Sequence, residues 1–544
     1  MSQFLIQYVR FEPQNWVFLS TLLVIGLFLM FHRFWSLRNL DILLVLAFTP
    51  GMMLVYEGRQ KAFRIPKPEI VVAPTQVGTE VRGGTEAQVG TEAQVGTEAQ
   101  VGTEAQVGTE AQVGTEVQGG TEAKSGTEAQ GGTEVQGGTE VQGGKATQGG
   151  TETERIASIQ NSEVRVGDSS WPPEKLRYWG FVWLIICAFL TVTRMLLDTT
   201  IVRRPLLDPN LSSGGMLFIG TSLLLYLMVN VATSSPVEQR RSSPEIGPGY
   251  VLLSALPQIA TTPQQTTNLT DNVGLPRSGV RLSLARVLAI GANLTLVFCI
   301  LAIGYWHFGN FKTGVGAVTF YLLLPYTAHM TGRVDHVVPS ALLLLAILMY
   351  RQPFVAGLFL GCAAGVVYYP FSLLPLWCSF YWQRGIKRFA GGFAVAIFVL
   401  VIAMIILHPN NLSQDLGYMF GLKQVAMTGM DGIWGLGWYP IMRIPIIVVF
   451  VLLSLSFVVW PAQKNLATLL SCSSAIMAAT QFWHGFGGGL YMAWFIPLAL
   501  LTIFRPNLDY CIALEVVRPT RKKAGRKVTP PPLAESEASP STTN

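Results

Sequence analysis

An arginine, an aspartate and a histidine fall within four residues, Arg333-Val-Asp335-His336, between two apolar runs, and His329 precedes them by about one helical turn. A carboxylate placed there is able to take a proton from a hydroxyl. The neighbouring guanidinium is able to hold an anionic leaving group, and His329 or His336 would orient one or the other. Keeping an ionisable side chain near a bilayer is costly, ~2.5–3.5 kcal/mol at its centre on insertion scales, so such groups often mark a site. The plainer reading is that Arg333 and Asp335 pair at the lipid–water boundary, where the cost is far lower. Downstream, Tyr368-Tyr369-Pro370 forms an aromatic turn, and His484 precedes Gly485-Phe-Gly-Gly-Gly489. His484 would contact a ligand there, although a tight turn between two spans explains its glycines as well. Glu57 and Glu245 are further acids, more simply read as solvated loop charges. The chain has no Walker loop, dinucleotide fingerprint, zinc spacing or nucleic-acid-binding patch. No cofactor and no nucleic-acid partner are therefore expected, and a divalent metal requirement stays open.

The elements that must position these side chains are membrane helices. Of the 544 residues, 50% are hydrophobic and only 13% charged, where a soluble domain is charged at about a quarter of its positions. That balance excludes an ordinary soluble enzyme and a largely disordered chain. The apolar residues gather in blocks of 12 to 22, and about 20 residues cross the hydrocarbon core as a helix. We expect an all-α polytopic membrane protein of about thirteen segments: 16–32, 40–56, 178–197, 214–232, 285–306, 314–330, 337–350, 354–369, 371–382, 389–407, 441–460, 466–483 and 488–504. Pro370 divides 354–369 from 371–382, so this pair reads as a hairpin returning to one face. Gly357, Gly361 and Gly365 have the spacing that lets helices approach closely. Six cysteines, none in a C-x-x-C pair, read as small core residues. Met1 to Trp16 lacks a basic leader and a cleavage site, so the first block is expected to be a retained helix.

Four regions follow: two N-terminal helices (1–56), a linker (57–177), a polytopic domain (178–505) and a tail (506–544). Within the linker, residues 76–155 repeat the unit Val-Gly-Thr-Glu-Ala-Gln or close variants, and thirteen glutamates face only Arg82, Lys124, Lys145 and Arg155. A hexapeptide β-helix would need larger core residues than Val to offset about 1–2 kcal/mol of ordering per residue. The repeat is therefore read as a disordered acidic spacer. Lys and Arg in short loops favour the cytoplasm. The link Arg384-Gly-Ile-Lys387-Arg388 and the tail cations Arg518 to Lys527 are separated by four spans, so both fit inside. Counting back places the N-terminus outside, the Asp335 loop and the 408–440 loop outside, and the C-terminus in the cytoplasm. Arg277, Arg281 and Arg286 count against this arrangement. In the 408–440 loop, Trp434 and Trp438 suit a binding lip or an aromatic belt.

The stretch from Phe308 to Arg388 combines a Gly-bearing loop, a span, the external Arg333-Val-Asp335-His336, a second span, a glycine-spaced helix and the turn at Pro370. This layout resembles the GT-C superfamily of polytopic glycosyltransferases, its mannosyltransferase-like branch especially. The resemblance covers about eighty residues plus the general arrangement of spans. It differs where Tyr368-Tyr369 replaces a turn Lys and where the first external loop is given over to the repeat. The family's usual acid lies in that loop, whereas Asp198 and Asp208 fall inside here. The resemblance implies an inverting transferase taking a sugar from a polyprenyl-phosphate donor on the extracytoplasmic face. Asp335 would be the catalytic base and Arg333 the phosphate contact. His336, His329, Tyr368, Tyr369 and His484 would bind substrate. Partners would be that donor and membrane lipids, whose headgroups also suit the basic tail. A transporter or flippase, and a non-catalytic scaffold organised by the spacer, are the competing expectations.

Overall fold

Helices begin and end here where the sequence supplies caps and breakers. The computed structural model describes residues 13–64, 171–201, 207–234, 236–237, 256–259, 279–382, 384–407, 413, 430–485, 487–508 and 511–512. The repeat, Glu245, Arg277, most of the 408–440 loop and the basic tail lie outside them. Helix α1 (Pro13–Phe28) turns into α2 (Leu37–Leu46) around buried Asn39. The Asn39 amide donates to the carbonyls of Met30, Arg33 and Phe34 and accepts from Met30 N–H, so one side chain closes the turn. Ala47 keeps helical backbone angles and its N–H bonds to the Leu43 carbonyl, so α3 (Phe48–Arg64) continues α2 directly and ends eight residues beyond the expected 56. Glu57 and Lys61 pair along its last turns at 3.5 Å. Helix α4 (Pro173–Leu197) runs back against α3. Glycines permit that contact: a Cβ on Gly180 would lie 2.8 Å from Val55 N and 2.9 Å from the Gly51 carbonyl.

Helix α5 (Ser213–Thr233) starts at Ser212, whose hydroxyl accepts from Gly215 N–H. Helix α6 (Gly279–Ala302) widens into a π turn at 303–307 before Asn310 caps α7 (Phe311–Leu323). The span expected at 314–330 is broken. Leu324 is extended and Pro325, which has no N–H to continue α7, opens the short α8 (Pro325–Met330). Then come α9 (Val334–Leu348) and α10 (Pro353–Val366). A tight 369–373 turn leads to α11 (Leu374–Phe380), followed by α12 (Ile386–Leu407) and α13 (Arg443–Ser456). Asn465 and Thr468 form a reciprocal cap for α14 (Leu466–Ala479). The segment expected at 488–504 becomes helical only at α15 (Ile496–Phe504), because Gly487 and Gly489 hold positive φ in the turn ahead of it.

The chain is all-α apart from a two-residue antiparallel pairing of Pro236–Val237 with Gln258–Ile259 among the described residues. Among the described residues, five helices are long and apolar enough to cross a membrane: Leu37–Ala62 (α2 running on into α3), Pro173–Thr200, Ser213–Thr233, Gly279–His307 and Ile386–Ile406. Six other expected segments contain apolar helices of 10–17 residues, and α11 and α15 have only 7 and 9, all shorter than the roughly 20 an upright crossing needs. Every residue of α14 and α15 is buried, so these two helices form the centre against which the rest pack.

The glycine stripe is a packing surface. On α10, a Cβ at Gly357 would lie 3.0 Å from Phe393 N, and one at Gly361 would lie 2.8 Å from the Phe393 carbonyl on α12. Backbone cannot yield as a flexible side chain can. Gly357→Ala is expected to cost about 1–3 kcal/mol by forcing α10 and α12 apart. Reversible unfolding in mixed micelles measures this; an unchanged midpoint would mean the helices have room to separate.

Candidate functional site

Helices α3 and α4 are antiparallel, so the C-terminal end of one and the N-terminal end of the other meet at the same end of the bundle. That end receives Tyr56 and Arg59 from α3 and Arg177 from α4. The α8–α9 junction adds His329, Arg333, Asp335 and His336, and the 483–491 turn adds His484 and Tyr491. Asp431 comes from the loop before α13. Side chains distant in sequence converge there because the end of α3, the start of α4, the α8–α9 junction, the 483–491 turn and the approach to α13 share one end.

Arg333 caps the start of α9 and reaches back over it. Its Nε and Nη2 donate to Asp335 Oδ1 and Oδ2 at 3.2 and 2.6 Å. The Asp335 side chain is 1% exposed, so in this conformation it holds the guanidinium and offers no open oxygen to solvent. His336 Nε2 lies 3.6 Å from Asp335 Oδ2. The other ring nitrogen, Nδ1, is 2.7 Å from the Tyr326 hydroxyl, which accepts from Ala493 N–H at 3.0 Å. With Tyr326 donating to Nδ1, the imidazole proton is assigned to Nε2, on the side of Asp335.

His336 also opens a column of rings. It stacks on Tyr491 at 4.5 Å between centroids, Tyr491 on His484 at 4.4 Å, His484 on Tyr369 at 5.2 Å and Tyr369 on Tyr368 at 4.3 Å. His329 stands edge-on to Tyr56 at 4.5 Å. The seven side chains expected to act on or bind substrate thus meet in one region. His484 sits in the turn after α14; burial first, and then the charge of Arg443, push it well below the ordinary histidine range, so its ring is neutral. Arg443 itself is buried and donates from Nε to the Trp483 carbonyl at 3.0 Å.

The second carboxylate of the region is Asp431. Its Oδ2 accepts from Arg59 Nη2 at 2.6 Å, and its Oδ1 from Arg177 Nη2 at 2.8 Å and from Gly432 N–H at 2.7 Å. Its backbone is laced to the glycine turn: Asp431 N–H donates to the Gly485 carbonyl, and Gly487 N–H to the Asp431 carbonyl. Burial pushes the Asp431 carboxyl up, but Arg59, the Gly432 N–H and Arg177 together outweigh it and hold the group below the usual carboxylate value. A depressed carboxylate contributes stability that is present above its unfolded value, about 3.9, and is lost as pH falls through the folded value. The emission of Trp434 and Trp438 is therefore expected to stay constant from about pH 7 to pH 5 and to change only below about pH 4. Asp431→Asn should abolish the transition; its persistence would place the titration elsewhere.

Arg59, Arg177, Asp431, Arg443, Tyr326 and Tyr491 were not among the sequence candidates. One signal for the first three was present. In the expected topology the end of segment 40–56, the start of 178–197 and the 408–440 loop share a face. Glu57, weighed as an alternative acid, is tied to Lys61 on α3. Among the described residues, no three His, Cys, Asp or Glu side chains are grouped as metal ligands.

A separate ionic group occupies the opposite end of α4. Arg194 donates to Asp41 at 2.5 and 2.7 Å and to Asp198 at 3.2 Å, and Arg505, just past α15, donates to Asp198 at 2.6 Å. Asp198 thus ties α4 to the end of α15.

No protein-family model, no curated protein and no solved structure matches the chain. Fold and site define a class: an all-α chain with apolar helices of membrane-spanning length, consistent with a membrane protein, that gathers cations, carboxylates and stacked rings at one end.

Proposed function

We propose that the chain is a multi-pass membrane glycosyltransferase that moves a sugar from a polyprenyl-phosphate donor to an acceptor hydroxyl on the extracytoplasmic face. This reading takes the thirteen apolar segments as membrane-embedded, with the N-terminus outside and the C-terminus in the cytoplasm. The observation that carries it is the meeting of a carboxylate–guanidinium pair, Asp335 with Arg333, with Arg59 and Arg177 at one end of the bundle. In the reaction, Arg333 turns from Asp335 to the donor phosphate. The freed carboxylate takes the proton as the acceptor oxygen bonds to the anomeric carbon. The bond from that carbon to the phosphate oxygen breaks, and the phosphate leaves with the electron pair. His336 and His329 orient these groups, and Tyr368, Tyr369 and His484 wall the sugar. Purified protein incubated with radiolabelled polyprenyl-phosphate sugars and membrane glycolipid acceptors is expected to transfer label from at least one donor. Failure across the panel would overturn the reading.

One observation favours a transporter instead. Leu324 is extended between α7 and α8, and a small cavity lined by Phe48, Thr49, Pro325 and Tyr326 lies beside that break. Discontinuous helices build mid-membrane sites in transporters. Uptake of labelled donor into proteoliposomes without transfer would select that reading.

A further inference from the structure

Two guanidiniums from different helices converge on the two oxygens of one carboxylate, Asp431. The arrangement is open: 36% of the Arg59 side chain, 23% of Arg177 and 40% of Asp431 remain exposed. Arg333 is near enough for its charge to be felt at Arg59. Removing the Asp431 side chain from this place would leave a cationic cleft facing the glycine turn, with Gly487 beside it. Paired guanidiniums match the oxygens of a phosphate as well as those of a carboxylate. A phosphomonoester brings about −1.5 to −2 charge at pH 7, more than the single charge of Asp431.

We infer that Arg59 and Arg177 form a phosphomonoester site that the Asp431 carboxylate fills while the site is idle, so that an arriving phosphate displaces Asp431 and releases the loop at 430–438. The Gly432 N–H then loses the carboxylate oxygen that caps it, and among the described residues two backbone hydrogen bonds at Asp431 and the bond from Trp434 Nε1 to the Phe482 carbonyl still tie the loop to the 482–487 turn. Where this rests on the transferase reading, it assigns a step. A sugar phosphodiester carries one charge and does not outcompete Asp431. The charge that develops as the sugar departs does, and the site thereby favours the leaving phosphate over the bound donor.

The test uses the full-length protein in nanodiscs of neutral lipid, with a polyprenyl monophosphate and inorganic phosphate as separate probes. Asp431→Asn is expected to bind the monoester about tenfold more tightly than wild type, since it removes the competitor for two half-exposed pairs. The double variant Arg59→Gln, Arg177→Gln should bind at least about tenfold more weakly. In wild type, the Gly432–Trp438 amides should exchange hydrogen faster once the probe is bound. A response to the lipid probe alone assigns a headgroup, and a response to both assigns phosphate itself. Equal or weaker binding by folded Asp431→Asn, or an unchanged exchange rate in wild type, would overturn the inference. Tighter binding by Asp431→Asn with no sugar transfer from any donor would remove the transferase reading and leave the phosphate site standing. Transfer without that tightening would do the reverse.

Discussion

Asp335→Asn is expected to lower sugar transfer by about 10²–10⁴-fold, the usual contribution of a positioned base. Asparagine keeps the shape and leaves one oxygen to accept from Arg333, but it cannot take a proton. The donor phosphate is held by Arg333, so KM for the donor should move little while kcat collapses. That split distinguishes loss of a base from loss of binding. A stability effect accompanies it, because Arg333 is only 18% exposed and its ion pair with the Asp335 carboxylate is lost. Melting of the variant in detergent provides the control. Arg333→Lys is the complementary variant: a point charge replaces the fork that spans Oδ1 and Oδ2, so donor KM should rise while the base survives. Full transfer by folded Asp335→Asn would move the proton acceptor elsewhere. The plainer role, a carboxylate that only anchors Arg333, would then stand.

The largest effect on stability is expected at Asp198. Its side chain is fully buried and joins Arg194 at 3.2 Å to Arg505 at 2.6 Å. Arg194 has a second carboxylate in Asp41, so within this group Arg505 depends most on Asp198. Asp198→Ala would break both of these buried ion pairs at once, at a cost of about 3–5 kcal/mol. Against a total stability of about 5–15 kcal/mol, the loss should show as a lower unfolding midpoint and poor accumulation in the membrane. The double variant Asp198→Ala, Arg505→Leu tests the cause. Replacing both partners with apolar groups removes the buried charge, so it should recover most of the loss. A double variant no more stable than the single one would mean that Asp198 acts through another contact.

The contrast between these carboxylates shows what was legible. Both lie at helix ends in an apolar chain, and charge pattern alone ranked Asp335 as a site and left Asp198 as a misfit to the family layout. Their environments differ through partners 2 and 307 residues away. The Arg333–Asp335 pairing was readable because both residues belong to one helix start. His336, His484, Tyr368 and Tyr369 were expected only as residues that bind substrate, and the ring column that groups them needed Tyr491, which no local pattern marks.

Composition and spacing by themselves determined the helical class, apolar helices of membrane-spanning length and a glycine face on α10 fit for close packing. These are local properties: hydrophobic runs, caps such as Asn310 and Asn465, and glycines one turn apart act on neighbouring backbone. The broken span at Pro325 and the late start of α15 lay partly within reach, since proline and glycine interrupt helices wherever they stand. Tertiary structure alone decided which charges meet, joining Arg59 and Arg177 to Asp431 across 372 and 254 residues. Apolar helix faces discriminate weakly among partners, because lipid is as apolar as leucine. The choice of neighbour falls to small-residue contacts such as Gly51 with Gly180, and only the assembled bundle brings those two glycines together.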